Sequence, residues 1–137
     1  MTNNDYANID ATVCYHAAKF VQVFFHATDS RRVTVASLFS SDNPVLVFNG
    51  TPYQGDDAIK KFWADLDQTV HKRNVMNAHL IDYDVGYGKP LHVEVAGSVK
   101  LGRKTQPFTA TFLIVKDDPD PTSEVYACKS CTYRFLY

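Results

Sequence analysis

The side chains able to do chemistry are few, and most have a plainer use. Cys128-Lys129-Ser130-Cys131 has the spacing of a redox pair or of half a zinc site. On an extended strand, however, that separation sends the two thiols to opposite faces, so they cannot share a metal ion unless the strand bulges. With Cys14 the chain has three cysteines, too few for a disulfide scaffold and with one left over, so reduced thiols in an intracellular compartment are expected. His16, His26, His71, His79 and His92 show no paired ligand spacing on a shared helix face. No metal or cofactor site is therefore expected. His79, Asp82, Tyr83 and Asp84 gather acid and base groups in one short stretch, which either forms a general acid-base pair or is a polar strand end beside a turn.

Arg134 is a different kind of candidate. Alternation along the last strand places it with Ser130, Thr132 and Leu136 on one face, opposite Tyr133 and Phe135. Within the chain it can pair with Glu94 on the same face. An exposed pair contributes roughly 0 to 1 kcal/mol, whereas a buried guanidinium without a partner costs several.

The elements that must position these residues are legible to different degrees. Residues 45–66, VLVFNGTPYQGDDAIKKFWADL, read as a short strand, an Asn-Gly hairpin turn, a second short strand and a helix. In that helix Ala58, Ile59, Phe62, Trp63 and Leu66 form one apolar stripe, and Asp56 is placed to cap the first turn. Upstream, Val13, Ala17, Phe20, Val21 and Phe24 predict an amphipathic helix over about residues 8–27. Asp29 or Ser30 is placed to cap a second helix carrying Val33, Val35, Ala36, Leu38 and Phe39, stopped by Pro44. Arg31 and Arg32 in its first turn oppose the helix dipole unless an acidic group is near.

Residues 69–85 follow no clean period and read as a long, bulged strand. Gly86, Gly88 and Pro90 then break the chain. Leu91, Val93, Val95, Val99 and Leu101 alternate with His92, Glu94, Ala96, Ser98 and Lys100, with Gly97 on the apolar face where it can permit a bend. Phe108, Ala110, Phe112 and Ile114 alternate with Thr109, Thr111, Leu113 and Val115, so the second face is not simply wet. A last strand is expected from about residue 124. Three early helices followed by three or four long antiparallel strands predict an α+β fold with helices on one sheet face. The other face then needs a cover, and a second subunit is the natural one.

At 137 residues the chain is read as one domain. Hydrophobic residues make up 45% and charged residues 21%, and the mean hydropathy of -0.23 argues against a membrane protein. The first residues lack the basic and apolar regions of a secretory signal, so a soluble intracellular protein is expected. A net charge of -1 gives no general attraction to phosphate backbones or anionic lipid, so neither direct nucleic-acid nor membrane binding is expected.

FVQVFFHATDSRRVTVASLF, VLVFNGTPYQG followed by DDAIKKF, HVEVAGSVK, PFTATFLI and the closing TYRF together resemble, in order and over nearly the whole chain, the nuclear transport factor 2-like family. DSRR after the first helix and FNG in the hairpin are most similar to its export-protein branch, the small subunits of the nuclear mRNA export receptor. The resemblance implies a cone-like fold, also described as cystatin-like, in which a curved antiparallel sheet wraps three helices and dimers form through the outer sheet faces. It implies a noncatalytic adaptor, without cofactor, that heterodimerises with the related domain of a large mRNA export receptor. Phenylalanine-glycine nucleoporins would be engaged indirectly, by the heterodimer, and the protein would occupy the nucleus and nuclear envelope and shuttle to the cytoplasm. Partner-facing positions implied by this register are Arg134, Thr132, Leu136, Glu94, Ala96, Thr111 and Leu113, with Arg134 pairing to an acidic group of the large subunit.

Two alternatives come with the family. Its founding member is a homodimer that carries the GDP form of Ran through acidic residues, and these fall here at Asn49, Gly102 and Lys104. None is acidic, so Ran-GDP is not expected as a partner. A tryptophan that helps form the founder's repeat-binding pocket corresponds to Val13. Scytalone dehydratases and ketosteroid isomerases place acid-base groups inside the same cone, a use for which His79, Asp82, Tyr83 and Asp84 are the candidates.

Overall fold

The computed structural model describes residues 3–120 and 122–136. Helix α1 spans Asn3–Ser30, and its buried stripe runs through Val13, Ala17, Phe20, Val21, Phe24, Ala27 and Thr28. The helix is longer than its apolar period because periodicity marks only the packed part of a helix. Asp29 and Ser30 belong to α1 and cap nothing. The next helix is a 3₁₀ segment, Arg32–Leu38, whose N-cap Arg31 makes no side-chain cap hydrogen bond.

Arg32 resolves its apparent conflict with the helix dipole by turning away from its own helix. Its guanidinium donates to the carbonyls of Leu66 and Asp67, the latter at 2.7 Å, and to Thr69 Oγ1 at 3.2 Å. It thereby satisfies carbonyls at the C-terminal end of α2 (Asp56–Asp65), where a cation is favourable. Asp56 is the first residue of α2 and forms an ion pair with Lys60 at 2.7 Å. The N-cap is Gly55, without a side-chain bond, so Asp56 is not the cap.

Strands β1 (Val45–Phe48) and β2 (Thr51–Gln54) form the expected hairpin. Asn49 and Gly50 turn it with φ of 48° and 88°, both in the left-handed region that Asn-Gly suits. Asn49 also ties this tip to the last strand, donating its N–H to the Tyr133 carbonyl at 3.1 Å and accepting the Phe135 N–H on Oδ1 at 2.9 Å.

The remaining strands are β3 (Thr69–Leu80), β4 (Leu91–Leu101), β5 (Lys104–Val115) and β6 (Ala127–Phe135). They join the hairpin in one six-stranded sheet of order β2-β1-β6-β5-β4-β3. All neighbours are antiparallel except β1 and β6, which run parallel. That pair brings the early hairpin beside the end of the chain and extends the sheet past the three or four strands expected. β3 stops at Leu80 because the chain turns there, with Ile81 N–H donating to Pro90 and Val85 N–H to Gly88, each at 2.9 Å. β6 starts at Ala127, after the proline-broken loop.

β3 is bulged between Arg73 and Val75, opposite Gly97 and Ala96. The bulge presses β3 onto Gly97, where an added Cβ would lie 1.9 Å from the Lys72 carbonyl oxygen. Glycine stands there for close backbone approach. The helices lie on the inner sheet face, where Phe24 packs on Phe112 at 4.8 Å and on Trp63 at 5.8 Å between ring centroids.

Candidate partner interface

The outer sheet face is where the named candidates meet. Register places Glu94 beside Thr111 and Thr111 beside Thr132, in one row across β4, β5 and β6. A second row holds Ala96, Thr109 and Arg134, and a third His92, Leu113 and Ser130. Thr132, Arg134 and Leu136 are exposed, while Ala96, Thr111 and Leu113 are half-buried by their neighbours. The helices cover the opposite face, so this band of small, apolar and polar side chains has no cover among the described residues.

Arg134 and Glu94 do not pair. They lie two strands and two residues apart in the register. Glu94 instead sits 3.9 Å from His92 Nδ1, and among the described residues no ion pair takes Arg134. The same face carries Val75, Asn77 and His79, whose placement depends on the β3 bulge that shifts their parity. Val75 is 61% exposed. His79 and His92 stack across the strands with ring centroids 6.4 Å apart.

The two thiols of Cys128-Lys129-Ser130-Cys131 share a face, contrary to simple alternation. Leu113 pairs with Ser130 but Ile114 with Cys128, so Lys129 is an extra residue that restores both cysteines to the core side. Both are free and buried. Burial pushes the Cys128 thiol pKa well up and the neighbouring Cys131 adds to it, against a smaller lowering by the Ser130 backbone; the thiol donates to the Ser130 carbonyl at 3.1 Å. A thiol held protonated is a poor nucleophile and metal ligand. Among the described residues no group of three or more His, Cys, Asp or Glu is disposed to hold a metal ion.

The acid-base candidates of the sequence lie outside the cone. Asp82, Tyr83 and Asp84 belong to the exposed β3–β4 loop, with Tyr83 69% exposed and Asp82 paired to Lys89 at 2.6 Å. His79 faces outward beside His92. A different acid-base cluster occupies the interior, from residues far apart in the chain. Asp29 Oδ1 accepts from His71 Nδ1 at 2.6 Å and from Thr69 Oγ1 at 2.8 Å, Oδ2 accepts the His71 N–H at 2.8 Å, and His71 Nε2 meets the Tyr133 hydroxyl. Burial raises the Asp29 carboxyl pKa, but the hydrogen bonds and charge of His71 and the Thr69 hydroxyl outweigh it and hold it below the ordinary value.

Since an ionised carboxylate can only accept, Nδ1 carries a proton and donates it to Asp29, while Nε2 is hydrogen-bonded to the Tyr133 hydroxyl. Burial keeps that phenol protonated, raising its pKa well above the usual value. The His71 side chain is fully buried, between Phe25 and Phe108 at 4.8 Å each. Both ring nitrogens are hydrogen-bonded within the chain, tying α1, β3 and β6 together. Nothing local in the sequence marks the cluster, because its members are brought together only by the packing of α1, β3 and β6.

A family model for the nuclear transport factor 2 (NTF2) domain matches residues 16–135. The chain belongs to the nuclear transport factor 2 domain family. This domain is 25% identical over 137 residues to NTF2-related export protein 1 of Bos taurus, covering 98% of this chain and 96% of that one. Its fold is shared with nuclear transport factor 2 of Cryptosporidium parvum, with a TM-score of 0.74, 15% identity and coverage of 90% and 94%. It is shared likewise with a chain in the Candida albicans Mtr2-Mex67 M domain complex, with a TM-score of 0.68, 14% identity and coverage of 89% and 94%. Nuclear transport factor 2 domains thus supply both the sequence pattern and the cone in which a sheet wraps three helices.

Proposed function

We propose that this chain is a noncatalytic adaptor subunit in nuclear mRNA export, pairing through its outer sheet face with the related domain of a large export receptor. The observation that carries this reading is the outer face, which the described residues leave uncovered and in which none of them forms an ion pair with Arg134. A cation on a band of small and apolar side chains calls for a carboxylate on whatever covers the band. Similarity to an export protein over 98% of the chain supports the same reading, as does the likeness to a fold seen in the Mtr2-Mex67 complex. Thr132, Leu136, Glu94, Ala96, Thr111 and Leu113 form the rest of the proposed interface. Phenylalanine-glycine nucleoporins are reached through the receptor, and the protein works in the nucleus and at its envelope, shuttling to the cytoplasm.

Carriage of Ran-GDP is disfavoured on physical grounds. Asn49 spends its side chain on the Phe135 amide, and the β4–β5 turn presents Gly102, Arg103 and Lys104 to solvent. A basic surface that used carboxylates as its docking points finds repulsion there. The deciding experiment is co-purification of the tagged chain from its own cells. Recovery of a large receptor in one-to-one ratio is expected, and recovery of self-dimers loaded with Ran-GDP alone would overturn the reading.

A further inference from the structure

The net charge of -1 conceals a segregation of charge along the sheet. At one end, Lys72 and Arg73 of β3, Lys100 of β4, and Arg103 and Lys104 at the β4–β5 turn are all exposed. Among the described residues none of these cations enters an ion pair. Val70 pairs with Lys100 and Lys72 with Ser98, so Lys72 and Lys100 are diagonal neighbours on adjacent strands, and the turn follows directly. Six carboxylates lie at the far end of the same strands, with Lys89 and Lys116 among them, while Asp65 and Asp67 precede β3 at the basic end. Asp82 and Asp84 lie in the β3–β4 loop, and Asp117, Asp118, Asp120 and Glu124 in the β5–β6 loop. These loops are adjacent because Leu91 pairs with Ile114.

We propose that the basic end around the β4–β5 turn is a second docking surface, separate from the central rows of the outer face, and that it takes an acidic protein segment. Clustered like charges repel one another across neighbouring strands, and a ligand that brings carboxylates relieves the repulsion while being steered by it. An acidic protein segment fits better than a nucleic acid. Among the described residues the exposed aromatic rings, Tyr15, Tyr83 and Tyr87, lie on α1 and in the β3–β4 loop, so none of these supplies the basic end with a platform for base stacking. Carboxylates need only the cations.

The test is a fluorescence-anisotropy titration of a labelled oligoglutamate peptide with the intact chain at low ionic strength. Saturable binding is expected, weakened about tenfold or more by Lys100→Glu with Lys104→Glu, and unaffected by Lys61→Glu on the exposed face of α2. Circular dichroism checks that the variants stay folded. The proposal is overturned by absence of binding, by equal loss in the Lys61 control, or by tighter binding of an oligouridylate of the same charge. It is overturned too if sedimentation shows that the basic end instead docks the acidic end of a second copy.

Discussion

At Gly97 a single missing methyl group decides whether two strands can approach. An alanine Cβ would sit 1.9 Å from the Lys72 carbonyl oxygen, and that oxygen belongs to backbone held by the β3–β4 ladder. Gly97→Ala is therefore expected to destabilise the fold by about 1–3 kcal/mol, read as a lower urea midpoint with unchanged slope. The cysteines give a second residue-scale outcome. Cys14 is exposed while Cys128 and Cys131 are buried, so a thiol reagent should modify Cys14 rapidly in the native protein and the other two only on denaturation. Arg134 behaves differently from both. It is exposed and without an ion pair among the described residues, so Arg134→Glu should leave the melting temperature nearly unchanged while weakening receptor binding about a hundredfold, as measured by titration. Full retained affinity would remove Arg134 as an anchor.

Between elements, one polar tie runs from α1 through β3 to β6. Asp29 closes it, and in doing so takes the outward His71 N–H on the edge strand β3, which leaves less of that edge open to unwanted pairing. Because the carboxyl is held below its unfolded value near 3.9, its stabilisation is fully present above that pH and is lost as pH falls through the lower folded value. Asp29→Asn should cost about 2 kcal/mol at neutral pH and flatten the fall in stability below about pH 4. Chemical denaturation across pH measures both. An acid limb as steep as that of the parent would mean that the Asp29–His71 tie carries little of the linkage.

For the whole molecule, the described residues leave one sheet face uncovered and gather unpaired cations around the β4–β5 turn. Covering the face with the related domain of a receptor should raise the melting temperature of the mixture above that of either chain, in proportion to affinity and concentration. Differential scanning calorimetry of the two chains alone and together checks this, and coincident melts would count against a stable complex.

The sequence by itself determined the elements whose signals are local. The Asn-Gly hairpin, the α2 stripe through Ile59, Phe62 and Trp63, and the alternation of β4 and β5 all depend on neighbours a few residues away. The placement of Arg134, Thr132 and Thr111 on one outer face followed from that alternation, and the family resemblance from their order. Tertiary structure alone decided the rest. A bulge adds one residue and reverses parity for everything beyond it, which is why Cys128 and Cys131 share the core side and Val75 and His79 face outward. The parallel pairing of β1 with β6, the turn of Arg32 toward the end of α2, and the Asp29–His71–Tyr133 tie join residues that no local period relates. Each exists because a buried donor or acceptor must find a partner wherever the packed chain brings one.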